Sequence, residues 1–194
     1  MKLVVITRPE FFEGETDIVN DLFRSGMERL HLRKPKASED ELSAWLQGID
    51  NQYYEKIILH DCFSLAEKFR LGGVHLNSRN PEAPHSTRGI TVSRSCHSIA
   101  ELAEHKSHCN YLFLSPIYDS ISKEGYGAAY SRIDLEHAAA EGIIDDKVLA
   151  LGGVNLEHIP DIRSMGFGGA VVLGALWQAK SPTEYLKALM NALG

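Results

Sequence analysis

The chain is 194 residues long, 44% hydrophobic and 24% charged, with a formal net charge of −6 at pH 7 and a pI near 5.8. Those figures suit one globular domain spanning 1–194 and exclude a nucleic-acid surface, which needs a basic stripe or a high pI. The longest apolar stretch, GGAVVLGALW at 168–177, is about half the roughly twenty residues of a membrane-crossing helix, and MKLVVITRPE at the start lacks a signal peptide's apolar core, so the expected compartment is the cytoplasm.

In chain order, short apolar or β-branched runs predict eight strands: KLVVIT (2–7), RLHLR (29–33), KIILH (56–60), GVHL (73–76), GITVS (89–93), YLFLS (111–115), KVLAL (147–151) and GAVVL (169–173). Helical segments lie between them. In SEDELSAWLQGI, Ser38 and Glu41 form a capping box, and Leu42, Trp45, Leu46 and Ile49 share one face. SIAELAEH, IDLEHAAAEG, NLEHIPDIRSMG and SPTEYLKALMNAL follow, the fourth of these five closing on Gly166. NSRNPEAPHSTRG, after the fourth strand, has two prolines and no periodicity, so its helix is expected to be short or missing. Eight alternating units imply parallel strands joined by crossovers, and fit an α/β fold of the (β/α)8 TIM-barrel type.

In such a barrel the chemistry belongs at the carboxyl ends of the strands. After the second strand stand Arg33, Lys34 and Lys36. Leu30 and Leu32 alternate with Arg29, His31 and Arg33, so Arg33 is expected to point into the mouth. After the third come His60 and Asp61; this carboxylate is either a Mg²⁺ ligand or a cap for the next helix. After the fourth lie Asn77, Ser78, Arg79 and Asn80, and after the fifth Ser95 and His97. The sixth strand leads into Ser120, Ser122 and Lys123, small hydroxyls and one cation suited to a phosphate, before the glycine-bearing EGYGAAY. Gly152 and Gly153 end the seventh strand and Gly174 the eighth, where this fold builds phosphate sites from backbone N–H groups. Cys62, Cys96 and Cys109, an odd number without a C-x-x-C pair, read as reduced structural thiols. The nine histidines include no H-x-H or H-E-x-x-H pattern, and His105 and His108 read as solvated.

Taken together these segments resemble the thiamine phosphate synthase family. YLFLSPIYDSISK is similar to its G-P-I-(F/Y)-P-T-x-T-K segment, with Ser120 and Ser122 for threonines, Lys123 retained, and Ser115 and Asp119 for a glycine and a proline. LALGGV, GAVVLGAL, GVHLNSRN, SRSCHS and HLRKPK resemble further segments, in register over nearly the whole chain. The resemblance implies a barrel that joins a pyrimidine diphosphate to a thiazole phosphate with Mg²⁺, releasing pyrophosphate. It further implies that Arg33 and Lys123 bind the diphosphate, that Asp61 supplies a metal carboxylate, and that Ser95 assists the leaving group. Ser120 and Ser122 would contact substrate, and Gly152, Gly153, Leu173 and Gly174 would hold the thiazole phosphate. His31 and His60 occupy substrate-binding positions where the family has glutamine and asparagine, Pro35 replaces a lysine, and Asn80 stands at the second metal aspartate. The diphosphate half of the site is thus altered, while the thiazole phosphate half is intact. Two alternatives stay open: a thiazole tautomerase-like paralogue, which normally carries histidine where this chain has Pro116, and a non-catalytic phosphate-ligand binding protein. The partners expected are small phosphorylated molecules, with neither nucleic acid nor membrane, and a homodimer is left open.

Overall fold

A computed structural model describes residues 1–87, 89–119 and 129–194. Eight parallel strands close into a barrel in sequence order: β1 (Lys2–Ile6), β2 (Leu30–Leu32), β3 (Ile57–Leu59), β4 (Gly73–Leu76), β5 (Thr91–Cys96), β6 (Tyr111–Leu114), β7 (Val148–Ala150) and β8 (Gly169–Val172). β8 returns to pair with β1, Lys2 opposite Gly169 and Val5 opposite Val172. Around it lie α1 (Glu15–Arg24), α2 (Glu39–Gln47), α3 (Ser64–Lys68), α4 (Ile99–His105), α5 (Arg132–Ala140), α6 (Ile159–Ser164), α7 (Gly174–Trp177) and α8 (Pro182–Leu193). The (β/α)8 expectation holds, including the missing helix: among the described residues none forms between β4 and β5.

Local chemistry sets the helix starts. Ser38 accepts from the backbone of Glu41, whose carboxylate accepts from the Ser38 N–H at 2.8 Å, so the capping box is closed. Ser98, Ser131 and Ser181 cap α4, α5 and α8 in the same way, each side chain meeting an early N–H that the helix leaves unpaired. Leu42, Trp45, Leu46 and Ile49 are all buried, packing α2 on the barrel's outer face beside Leu30 and Leu32.

Strand alternation divides the core. Outward residues such as Val5, Leu32, Leu59, Val74, Leu112 and Val172 meet the helices. Inward residues differ around the barrel: β1 and β6–β8 give Val4, Ile6, Tyr111, Phe113, Leu149 and Val171, an apolar group, whereas β2, β4 and β5 give His31, His75, Ser93 and Ser95. The interior is apolar on one side and polar on the other.

One strand departs from the sequence reading. β5 was expected at 89–93 but runs from Thr91 to Cys96, because its ladder to β6 continues through Ser95 opposite Phe113 and Cys96 opposite Leu114. Gly89, at φ 83°, lies in the turn before it. Ser95 therefore sits within a strand, on rigid backbone rather than in a loop.

Candidate active site

At the end of β2 the backbone of Arg33 is clamped to β1: its N–H donates to Thr7 Oγ1 at 2.9 Å, and that hydroxyl donates back to the Arg33 carbonyl at 3.2 Å. The guanidinium is half-buried. Burial lowers its pKa, as does Arg79 nearby, while Asp61 and Glu10 oppose the shift. Arg33, Arg79 and Asp61 thus share one electrostatic neighbourhood at the mouth.

Lys34, grouped with Arg33 by the sequence, is not part of it. It is 1% exposed, and its Nζ donates to both Glu15 carboxylate oxygens at 2.7 Å and to the Glu10 carbonyl at 2.8 Å. Trp45 Nε1 adds a bond to the same carboxylate. An isolated buried ammonium is costly, so the chain supplies a carboxylate from α1. This knot ties α1, α2 and the loops after β1 and β2 together beneath Arg33.

Below the mouth lies a layer of three histidines. His31 is fully buried, its Nδ1 2.9 Å from His60 Nε2 and its Nε2 2.7 Å from the Tyr111 hydroxyl. His60 stacks on His75 at 4.2 Å between ring centres, and Phe113 lies against His31 and His75. Burial, helped by Arg33, Arg79, Arg94 and Arg29 around them, pushes all three pKa values down, so the rings are neutral. Their nitrogens fall within 4.8 Å of one another. An imidazole set is the wrong donor chemistry for Mg²⁺, which prefers oxygen. His31, with both nitrogens engaged, meets the mouth through His60.

Asp61 provides oxygen donors above this layer. Arg79 approaches it through Nε at 3.1 Å and Nη2 at 3.0 Å, and Asn80 Nδ2 donates to it at 3.0 Å. Asn80 Nδ2 also reaches the His60 carbonyl at 3.0 Å, and Asn77 Nδ2 reaches it at 2.9 Å. Asp61, rather than capping α3, faces β4's loop; α3 has Phe63 at its N-cap without a side-chain bond. Across the mouth, Ser95 Oγ lies 2.8 Å from His75 Nε2, and Ser115 Oγ lies 3.3 Å from His97 Nδ1.

On the β7 side, Gly152 and Gly153 have φ of 95° and 64°, and a Cβ on Gly153 would stand 2.3 Å from the Asp119 carbonyl. Only glycine lets this turn lie against the loop after β6. Gly174 opens α7 with Leu173 at its N-cap, and α7 is anchored by Trp177 Nε1 donating to the Ile6 carbonyl at 2.7 Å. Ser120, Ser122 and Lys123 lie outside the described residues.

The barrel agrees with the comparisons. The family model described as thiamine monophosphate synthase matches residues 3–176. The chain belongs to this family. A thiamine-phosphate synthase from Caldivirga maquilingensis is 28% identical over 192 residues, covering 94% of this chain and 85% of that protein. One from Photorhabdus laumondii is 26% identical, covering 84% and 78%. Among solved structures, a thiamine phosphate pyrophosphorylase from Bacteroides thetaiotaomicron shares 40% identity at a TM-score of 0.89, covering 99% of this chain and 97% of that one. A thiamine phosphate pyrophosphorylase from Pyrococcus furiosus, 19% identical at a TM-score of 0.79, shares the fold.

Within this family's barrel, the residues that sequence reasoning left unassigned are His75, Arg79 and Tyr111. His75 and Tyr111 carried a legible signal, the inward position of a strand. Arg79 stood among the strand-end residues after the fourth strand, but its pairing with Asp61 depends on the loop after β4 and is not visible in the sequence.

Proposed function

We propose that this chain is a thiamine phosphate synthase, joining hydroxymethylpyrimidine diphosphate to a thiazole phosphate with release of pyrophosphate. The observation that carries this reading is the mouth itself, where Asp61 stands with Asn80 and the guanidinium groups of Arg33 and Arg79 close above a neutral imidazole floor. Cleaving the carbon–oxygen bond gathers negative charge on the departing diphosphate and positive charge on the pyrimidine. Arg33 and Arg79, with Lys123, neutralise the first, as preorganised cations do for a developing anion. The Gly153 turn, Leu173 and Gly174 offer backbone donors to the thiazole phosphate.

The donor set fits Mg²⁺ in its sparest form, one carboxylate from Asp61 with the Asn80 amide oxygen, the remainder coming from the diphosphate and water. The ion would supply further charge neutralisation at the leaving group. Asp61 also pairs with Arg79, so an ion held there would share the one carboxylate with the guanidinium. The diphosphate half-site is therefore a degenerate one. That single shared acid also supports the second reading, a phosphate-ligand binding protein without turnover.

Calorimetry with pyrophosphate plus Mg²⁺ and, separately, thiazole phosphate tests the assignment of the two halves. Both ligands are expected to bind, with Arg33→Ala weakening pyrophosphate alone by about tenfold, the loss of one charge-assisted contact. Equal weakening of both ligands would sink the assignment.

A further inference from the structure

We propose that His31, His60 and His75 form a binding site for a borderline first-row divalent ion of the Zn²⁺ type, separate from the oxygen donors at Asp61 that suit Mg²⁺. Three rings meet here from three strands: His31 lies in β2, His60 just after β3 and His75 in β4, and one nitrogen from each falls within 4.8 Å of the other two. All three side chains are buried. His31 and His60 are also the two positions where the resembled family has glutamine and asparagine, so two departures on neighbouring strands both end in imidazole, with nitrogens 2.9 Å apart. Neutral imidazole is the ligating form, and burial keeps these rings neutral.

The hydrogen bonds these rings make are compatible with ligation. Each neutral ring has two nitrogens and one proton, so each has one lone pair to give, whichever tautomer it holds. Ligation asks only that the proton sit on the nitrogen away from the ion. There the fold supplies partners: His31 Nε2 is 2.7 Å from the Tyr111 hydroxyl, and His75 has a serine at either nitrogen, Ser93 Oγ and Ser95 Oγ each at 2.8 Å. Outer bonds of this kind orient ligating histidines and fix their tautomers. The ion replaces the His31–His60 bond and one of the two His75–serine bonds.

Tetrahedral nitrogen ligands at the usual zinc distance stand about 3.3 Å from one another. The His31–His60 pair, at 2.9 Å, therefore opens by about 0.4 Å, and His75, stacked on His60 at 4.2 Å between ring centres, closes a gap of at most about 1.5 Å. Three nitrogens leave a fourth position for water, the arrangement of open zinc sites rather than closed structural ones. Arg29, Arg33, Arg79 and Arg94 bring positive charge to the same neighbourhood, so the ion binds against them and the nitrogens supply the affinity. Mg²⁺, a hard ion that prefers oxygen, does not compete for this set.

The test uses two metal probes on the whole chain, Zn²⁺ by calorimetry and Co²⁺ by visible absorption, with wild type, His31→Gln, His60→Asn, Tyr111→Phe and Asp61→Asn. Wild type is expected to take up one ion per chain, with the intense visible bands of four-coordinate Co²⁺ and no thiolate charge-transfer band. Losing an outer partner of a ligating histidine costs about 10–100-fold in metal affinity, so Tyr111→Phe is expected to weaken binding at least about tenfold. His31→Gln and His60→Asn, which carry the side chains the resembled family has at those positions, each remove a ligand and are expected to weaken it by at least about a hundredfold. Asp61→Asn is expected to stay within about twofold of wild type, and excess Mg²⁺ to leave the Co²⁺ bands in place. Should either histidine variant not fold, Tyr111→Phe and the Co²⁺ spectrum decide. The proposal is overturned if wild type binds neither probe, if binding persists undiminished in the histidine variants, which would put the ion on surface groups, or if Asp61→Asn or Mg²⁺ abolishes it, which would put the ion on the oxygen donors. Thiamine phosphate formation is no part of the readout, so failure of the synthase reading leaves this test intact.

Discussion

At the scale of single residues, Asn80 is the informative departure. Its Nδ2 donates to Asp61 Oδ1 and to the His60 carbonyl, so an aspartate there loses two donated bonds and sets a second carboxylate against the first. Without metal, Asn80→Asp is expected to be destabilised by about 1–3 kcal/mol. With Mg²⁺ and pyrophosphate the sign reverses, because a hard dication prefers carboxylate oxygen to an amide. Thermal melts with and without that pair check this: the ligand-induced rise in Tm should exceed that of the wild type, and turnover should rise with it. An equal rise would mean that position 80 does not face the metal. Strand-end position named Arg33 and Asp61 in the sequence, Asp61 being open there between a metal ligand and a helix cap, and the structure sets both at the mouth beside Arg79. Lys34 was misleading for a physical reason: its partner Glu15 lies 19 residues away on α1, and spacing along the chain does not reveal which cation a fold buries.

At the scale of elements, the turn after β7 and helix α2 make contrasting expectations. Gly153 combines φ of 64° with a Cβ position 2.3 Å from a carbonyl oxygen of the neighbouring loop, so Gly153→Ala must displace one of the two loops. It is expected to weaken thiazole phosphate at least tenfold in calorimetry while pyrophosphate binding holds; loss of both would mean that the loops move as one body. Leu46 on α2 is fully buried in the outer core, far in role from the mouth. Leu46→Ala is expected to cost about 2–5 kcal/mol in denaturant unfolding, the usual range for a buried leucine, with ligand affinities of the surviving folded fraction unchanged. Helix α2 was readable to its cap because Ser38, Glu41 and the apolar face are all local. Strand β5 was misplaced because its end is set by pairing with β6, and nothing within TVSRSC marks where that ladder stops.

At the scale of the whole molecule, eight strand-helix units specify the barrel, and His31, His60 and Ser95 were named from the sequence, but the clustering of the inward histidines is built across strands and so escaped a search for local motifs. One histidine from β2, one from the end of β3 and one from β4 form a layer that no short pattern encodes. That layer has a consequence for stability. His75 stays neutral down to about pH 3 when folded, whereas unfolded histidine takes up a proton below about 6.5. The unfolded state therefore binds more protons across that window, and stability falls as pH drops from about 6.5 toward 3, by up to about 1.4 kcal/mol per pH unit for this one side chain. Chemical denaturation at several pH values should show His75→Gln with a shallower acid slope than the wild type.

The central claim, that this altered site still performs the transfer, is tested most directly by incubating purified protein with hydroxymethylpyrimidine diphosphate, thiazole phosphate and Mg²⁺ and measuring thiamine phosphate. The expected result is product that requires both substrates and falls away when Mg²⁺ is chelated. Tight binding of both phosphorylated ligands with no thiamine phosphate formed would contradict it.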